Sequence, residues 1–164
     1  VETALKATGK AEVTFIDIKD YNLPVMDDRL KDMEHPPEGL MDISEKLSGA
    51  DGIVFVTPEY NNSYSGALKN AVDYFTKEWA KKPIGIVTVS NGIQGGINAS
   101  NLLQLLVLAI GAYAMPTKLL VPEADKNLYE QGVPNNERLA GFIKIFVSEF
   151  LWFTEAIATQ KLKG

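Results

Sequence analysis

The chain has 164 residues, sixteen Lys and Arg against twenty-one Asp and Glu, a net charge of −5 and 46% hydrophobic residues. Scattered lysines on an acidic chain exclude the clustered cations that a nucleic-acid partner needs, and the absence of cysteine excludes a disulfide framework or thiolate metal site and fits a reducing, cytoplasmic setting. The length suits one domain with one core, and the longest apolar stretch, Leu102 to Met115, is interrupted by Gln104 and falls short of the ~20 residues of a membrane span.

In chain order, ETALKA reads as the later part of a helix without a start signal, so residues upstream of Val1 are expected, and Gly9 ends it. Ala11 to Ile18 (AEVTFIDI) alternates enough β-branched and aromatic residues to predict a strand. Lys19 to Pro37, with Pro24 and Pro36, reads as a long polar surface loop near a ligand or partner, and the single histidine in it, His35, as a solvated side chain. A lone histidine offers no metal site. Leu40, Ile43 and Leu47 have helical spacing before the Ser48-Gly49 stop, and Gly52 to Val56 is a wholly apolar strand.

Ser65 is a suitable N-cap for a helix that sets Leu68, Val72, Phe75 and Trp79 on one face and Lys69, Asp73 and Lys77 on the other. Lys69 and Asp73 are spaced for an i,i+4 pair, and Asn70 is placed to tie down a loop. Pro83 to Val89 is a buried-strand pattern, Asn98 to Ile110 a helix ending at Gly111, and Tyr113 to Val121 a strand carrying Pro116. Pro122 to Asn135 is a polar loop, and a final helix begins near Asn136. In that helix Phe142, Phe146, Phe150 and Phe153 follow one stripe while Ile145, Leu151 and Trp152 lie elsewhere, an excess of apolar surface that points to a partner.

Apolar strands alternating with helices predict an α/β, doubly wound domain with a parallel sheet covered on both faces. Ligands in such folds sit beyond the carboxyl ends of the strands. Two loops qualify, TPEYNNSYS from Thr57 and SNGIQGG from Ser90, and they lie side by side if consecutive strands pair. Gly92, Gly95 and Gly96 allow close approach of main chain to a planar or anionic ligand, with a helix N-terminus behind them. Asn91-Gly92 equally fits a common turn, and the first loop equally fits a polar turn with a serine cap.

The run from Pro58 to Asp73, PEYNNSYSGALKNAVD, closely resembles the P-E-Y-N-x-S motif and following helix of the flavodoxin-like NADPH-dependent FMN reductases, which include quinone, azo-dye and chromate reductases. Ser90-Asn91-Gly92-Ile93-Gln94-Gly95-Gly96 matches the family's second motif, and the resemblance extends from Ala11 to about Pro122. It implies a five-stranded flavodoxin-like sheet, FMN held by Pro58, Glu59, Tyr60 and Asn61 with Ser90, Gly92, Gly95 and Gly96, and NADPH or NADH as electron donor. It further implies a quinone or azo acceptor reduced by ping-pong hydride transfer through the flavin, no catalytic side chains and no metal, and a homodimer. A flavin-binding redox sensor with a protein partner is the alternative.

The chain departs from the family in carrying Ser65 for proline and Asn98 for arginine. The family's first strand and its phosphate loop have no counterpart in the sequence, so the chain is expected to lack its N-terminal strand, which in that fold lies between the Ala11 and Gly52 strands.

Overall fold

A computed structural model describes residues 1–37, 39–129 and 131–162. Glu38, Glu130, Lys163 and Gly164 lie outside the described residues. The chain runs α1 (Glu2–Ala7), α2 (Leu40–Gly49), β1 (Ile53–Tyr60), β2 (Ser63–Tyr64), α3 (Gly66–Asp73), β3 (Pro83–Val89), α4 (Ile97–Ala109), β4 (Tyr113–Val121), α5 (Ala124–Asn127) and α6 (Glu137–Leu162). The described sheet has four strands in the order β2-β1-β3-β4. The β1–β3 and β3–β4 pairs are parallel, and β2 is a short antiparallel addition to the end of β1.

Period-2 alternation along β3 explains why both faces need helices. Ile84 and Ile86 enter a cluster with Leu40, Leu47, Val72 and Leu103 from α2, α3 and α4. Val87 enters a second cluster with Leu5 of α1 and Phe146, Val147 and Phe150 of α6. Between them Gly85 has no side chain because none fits: a Cβ there would stand 2.9 Å from the Phe146 ring and 3.0 Å from Phe150. The two stacked phenylalanines thus rest on bare backbone. Pro116 is accommodated by an irregularity in the ladder, where the register jumps from Ile84↔Ala114 to Ile86↔Lys118, so its missing N–H costs no regular pairing.

Three expectations are corrected. Ala11 to Ile18 forms no strand: among the described residues no β-ladder includes it, and Phe15 is 65% exposed. Its alternation is nevertheless real, since Val13 packs on the α6-side cluster and Ile16 and Ile18 on the other. A strand needs a neighbour to take its backbone hydrogen bonds, and β1 is paired on its outer side only at Glu59 and Tyr60, by β2. Next, the helix from Ser65 stops at Asp73, so Phe75 and Trp79 reach the core from a turn and a 3-10 helix (Lys77–Trp79). The Trp79 indole N–H donates to the Val72 carbonyl at 3.1 Å and so occupies an acceptor at the end of α3. The phenylalanine stripe also divides: Phe146 and Phe150 are buried while Phe142 is 47% exposed.

Lys19–Pro37 lacks strands and α-helices, with only short 3-10 turns, yet it is strapped down. Asn70 accepts from the Met26 N–H at 2.8 Å and donates to the Pro24 carbonyl at 2.7 Å, the Tyr74 hydroxyl donates to the same carbonyl at 2.9 Å, and the Leu30 N–H donates to the Tyr74 carbonyl. At its start the Tyr21 hydroxyl donates to Asp42 at 2.6 Å, and Lys46 donates to both Asp42 and Tyr21. The bond from Lys46, then that from Tyr21, holds the Asp42 carboxyl below its ordinary value, and the bonds that Lys46 makes to Asp42, then to Tyr21, push Lys46 up to about 12.

Candidate functional site

The first loop is shorter than its sequence suggests. Pro58, Glu59 and Tyr60 are the last residues of β1 itself, and Tyr60 pairs with Ser63 across a two-residue turn. Asn61 (φ 49°) and Asn62 (φ 61°) are both left-handed, the conformation that a tight hairpin turn of this length demands and that asparagine tolerates. The turn holds Tyr60 64% exposed at the tip of the strand.

Two buried threonines that sequence reasoning passed over fix the loops to the sheet. Thr57 and Thr88 are direct neighbours in the parallel register of β1 and β3. The Thr57 hydroxyl accepts from the Ser65 N–H at 3.1 Å, while the Ser65 hydroxyl accepts from the Leu68 N–H at 3.3 Å and caps α3 as expected. The Thr88 hydroxyl donates to the Gly95 carbonyl at 2.9 Å. Each strand end thereby holds the far end of its own loop.

The loops are also tied to each other. A Glu59 carboxylate oxygen accepts from the Ala99 N–H at 2.9 Å, in the first turn of α4, and Asn98 donates to the Asn62 side chain at 3.0 Å. The helix N-terminus behind the glycines is therefore engaged by the protein's own carboxylate, which meets the positive end of the helix dipole that the sequence left open for an anionic ligand. The position of Asn98 accounts for the departure from arginine: it joins the two loops through a neutral hydrogen bond.

Ser90 accepts from the Gly92 N–H at 2.9 Å, and the Gly95 N–H donates to the Gly92 carbonyl at 3.2 Å, so SNGIQGG is a self-bonded turn with Asn91 to Gln94 exposed. Gly95 (φ +62°) and Gly96 (φ +84°) are buried and obligatory for internal reasons. A Cβ at Gly95 would stand 2.9 Å from the Pro122 nitrogen and 3.1 Å from Leu120 Cβ, and one at Gly96 would stand 2.8 Å from Thr88 Cβ. A Cβ at Gly92 would meet only the Ser90 hydroxyl, at 3.3 Å. Of the three glycines, Gly92 alone faces free space.

A third loop, unassigned from sequence, braces the second. The Glu123 N–H donates to the Gly92 carbonyl, the Ala124 N–H to the Ser90 carbonyl, and Asn91 to the Asp125 carboxylate at 2.8 Å. Glu123 is left-handed (φ 43°) to make this crossing. The signal was present in Pro122, which follows β4 as Ser90 follows β3, but no motif marked it.

Two cavities lie away from these loops. One, of about 410 Å³, is lined by Asp51, Lys82 and Lys161 among others. There the buried Lys82 donates to the Ser48 and Ala50 carbonyls at the end of α2, and burial followed by the nearby Lys161 lowers its pKa. The other, of about 350 Å³, lies at the Lys19–Pro37 segment, with Leu30, Met33, Tyr74 and Glu78 in its wall.

The sequence model of the family described as NADPH-dependent FMN reductase matches residues 1–126. The chain belongs to this family. A quinone reductase of Pseudomonas putida is 31% identical over 157 residues, spanning 92% of this chain and 83% of that protein. An FMN-dependent NADPH-azoreductase of Staphylococcus haemolyticus is 31% identical over 127 residues, spanning 76% of this chain and 67% of its own length. Among solved structures, the flavoenzyme NAD(P)H:(acceptor) oxidoreductase FerB of Paracoccus denitrificans superposes with a TM-score of 0.80 at 27% identity, covering 93% of this chain and 86% of that one. The fold is flavodoxin-like, and the chain is an oxidoreductase of an FMN- and NAD(P)H-dependent family.

The residues present fit the ring of FMN in this family's reductases and not its phosphate. Tyr60 and Ile93 offer exposed apolar surface beside main chain, against which a flat heterocycle can lie. The loops Pro58–Ser65, Ser90–Gly96 and Pro122–Asp125 contain no Lys or Arg to pair with a phosphate dianion.

Proposed function

We propose that the chain is an NAD(P)H-dependent quinone or azo reductase in which Pro58, Glu59, Tyr60, Asn61, Ser90, Gly92, Gly95 and Gly96 form the FMN-ring site. Bound there, FMN supplies two-electron redox chemistry that side chains lack. The observation that carries the reading is the cross-bracing of two strand-end loops, through Thr57 and Thr88 to the sheet and through Glu59–Ala99 and Asn62–Asn98 to each other. A site so fixed before ligand arrives spends little on ordering and orients a ring from main chain.

Within this reading each residue has a distinct task. Tyr60 covers one side of the ring and stacks on the incoming nicotinamide or acceptor, which use the same open face in turn, as a ping-pong scheme requires. Exposed Asn61 and Ile93 border that face. Gly95 and Gly96 do not themselves admit the ligand; they let the turn press on Thr88 and Pro122 and so set its height. The Gly92 and Gly95 amides are already bonded within the turn, so charge on a bound flavin would fall to the remaining amides of Ser90–Gly96.

The whole of residues 1–164 is taken as one flavodoxin-like domain. A fifth strand between Ala11–Ile18 and β1 would complete its sheet, supported by the mostly unpaired outer edge of β1 and the two-sided packing of Val13, Ile16 and Ile18. We take the protein to work as a homodimer in the cytoplasm, supported by exposed apolar side chains on α4 and α6 and by the cysteine-free composition.

The test is anaerobic spectroscopy of the purified protein after reconstitution with FMN. The expected result is flavin absorbance bleached by NADPH or NADH and restored by a quinone or azo dye, with parallel-line kinetics. Retention of flavin without turnover would instead make the chain a redox sensor, and failure to take up flavin would remove the reading.

A further inference from the structure

The short span that carries Tyr60 is fastened to α4 at both ends. Glu59, just before the tyrosine, accepts from the Ala99 N–H at 2.9 Å, and Asn62, two residues after it, accepts from the Asn98 side-chain amide at 3.0 Å. Ala99 and Asn98 are adjacent in the first turn of α4. Only Tyr60 and Asn61 lie between the two fastenings, and β2, the returning strand of the hairpin, packs against α4.

The hairpin's own ladder is a poor anchor. It consists of the pairs Glu59↔Tyr64 and Tyr60↔Ser63, and a two-stranded hairpin without further support is marginally stable. Those pairs fix Tyr60 relative to Ser63, not relative to the second loop. What sets the tyrosine against that loop is the attachment of the hairpin to the helix that follows SNGIQGG.

The choice of residue at the turn points the same way. Asn61 and Asn62 are left-handed at φ 49° and φ 61°, and the usual pair for two such positions is asparagine followed by glycine. Glycine at position 62 would form the turn with less strain. Asparagine there supplies what glycine lacks, a side-chain acceptor, and Asn98 donates to it.

We propose that Asn98 is a positioning residue for the reaction: through Asn62 it holds Tyr60 where its ring meets a bound flavin and the acceptor that follows. The inference rests on the flavin reading above and adds to it a residue outside those assigned to the ring site. Asn98 acts only through the hairpin, so its loss weakens the stacking of the acceptor and leaves the electron transfer itself to the flavin.

The experiment is a double-mutant cycle of Asn98→Ala, Asn62→Gly and the two combined. Alanine suits the first turn of a helix and glycine adopts φ > 0 freely, so all three variants should keep the parent's circular dichroism. In the flavin-free protein, either single variant should lower the NMR order parameters of the Tyr60, Asn61 and Asn62 amides from about 0.85 to below about 0.6, and the double should lower them no further. With FMN bound, either should raise KM for a quinone about fivefold and leave kcat within about twofold, the scale of one neutral hydrogen bond. The fluorescence lifetime of the bound flavin should lengthen in step, because a tyrosine ring in contact with flavin quenches it. Hairpin amides as rigid in both single variants as in the parent would overturn the proposal, and so would effects that add in the double. A loosened hairpin with KM and lifetime unchanged would reduce Asn98 to a structural tie and overturn it as well. A parent that takes up no FMN would remove the reductase reading itself, a result distinct from a parent that turns over and is indifferent to Asn98.

Discussion

Gly95 and Gly92 allow a direct test of whether the glycine turn is shaped by the protein's own packing or by its ligand. Substitution of Gly95 by alanine forces a side chain into φ +62° and sets its Cβ 2.9 Å from the Pro122 nitrogen and 3.1 Å from both Leu120 Cβ and the Val121 carbonyl carbon. The left-handed conformation costs about 1–2 kcal/mol and displacing packed neighbours about 1–3 kcal/mol more. Because two of the three contacts are backbone, the turn cannot yield by a side-chain rotation. Gly95→Ala should therefore lose roughly 2–5 kcal/mol, a fall in melting temperature of roughly 4–20 °C for a chain of this size. Gly92→Ala, whose Cβ meets only a rotatable hydroxyl, should stay within about 0.5 kcal/mol of the parent. Urea denaturation of both variants without flavin is the assay. If Gly95→Ala matched the parent while flavin affinity fell, the glycine would exist for the ligand and the packing argument would be wrong; equal losses in both variants would refute it as well.

Removal of the Glu59 carboxylate should destabilise the apoprotein by about 1–2 kcal/mol in Glu59→Ala, as loss of an N-terminal helix cap does, whereas Glu59→Gln, which retains an acceptor, should lose only the charge part, about 0.3–1 kcal/mol; equal melting curves for the two would count against the cap. Asp125→Ala should leave stability nearly unchanged but speed amide exchange of Asn91 to Gln94, and NMR or mass-spectrometric exchange identical to the parent would show that the third loop does not brace the second. Thr154, whose buried hydroxyl oxygen finds no partner among the described residues, should tolerate valine with a gain of about 1 kcal/mol, a result read from the denaturation midpoint and contradicted by any loss. For the Tyr21–Asp42–Lys46 cluster the sign follows from the shifts. Asp42, held below 3.8, adds stability at higher pH that is lost as pH falls through its folded pKa, and Lys46, raised from 10.5 to about 12, adds stability that is lost as pH rises through about 12. The difference in melting temperature between the parent and Asp42→Asn should thus be flat through neutral pH and shrink at both extremes, and a maximum at either extreme would reverse the assignment.

What could be read from the sequence was what depends on local pattern. The helix cap at Ser65, the Lys69–Asp73 pair, the tie made by Asn70 and the strand starting at Pro83 follow from spacing within a few residues, and the structure has all four. What eluded it depends on partners distant in the chain. Ala11–Ile18 has strand composition and, among the described residues, no strand beside it. Thr57 and Thr88 look like ordinary β-branched strand residues until the register sets them side by side beneath the loops. The tie between Glu59 and the Ala99 amide was not foreseen because the two residues are 40 apart in the chain. The glycines were recognised, but space for a ligand and space for Pro122 are the same letter in a sequence.

Placing the fastenings of the site on Thr57 and Thr88, inside the end of the sheet, separates what holds the loops from what they present. Residues at the loop surfaces, such as Ile93 and Gln94, can be exchanged by mutation with little penalty to folding, while the threonines beneath them cannot. A lineage built on this chassis is free to drift from one electron acceptor to another by surface replacements alone, with its scaffold inherited intact.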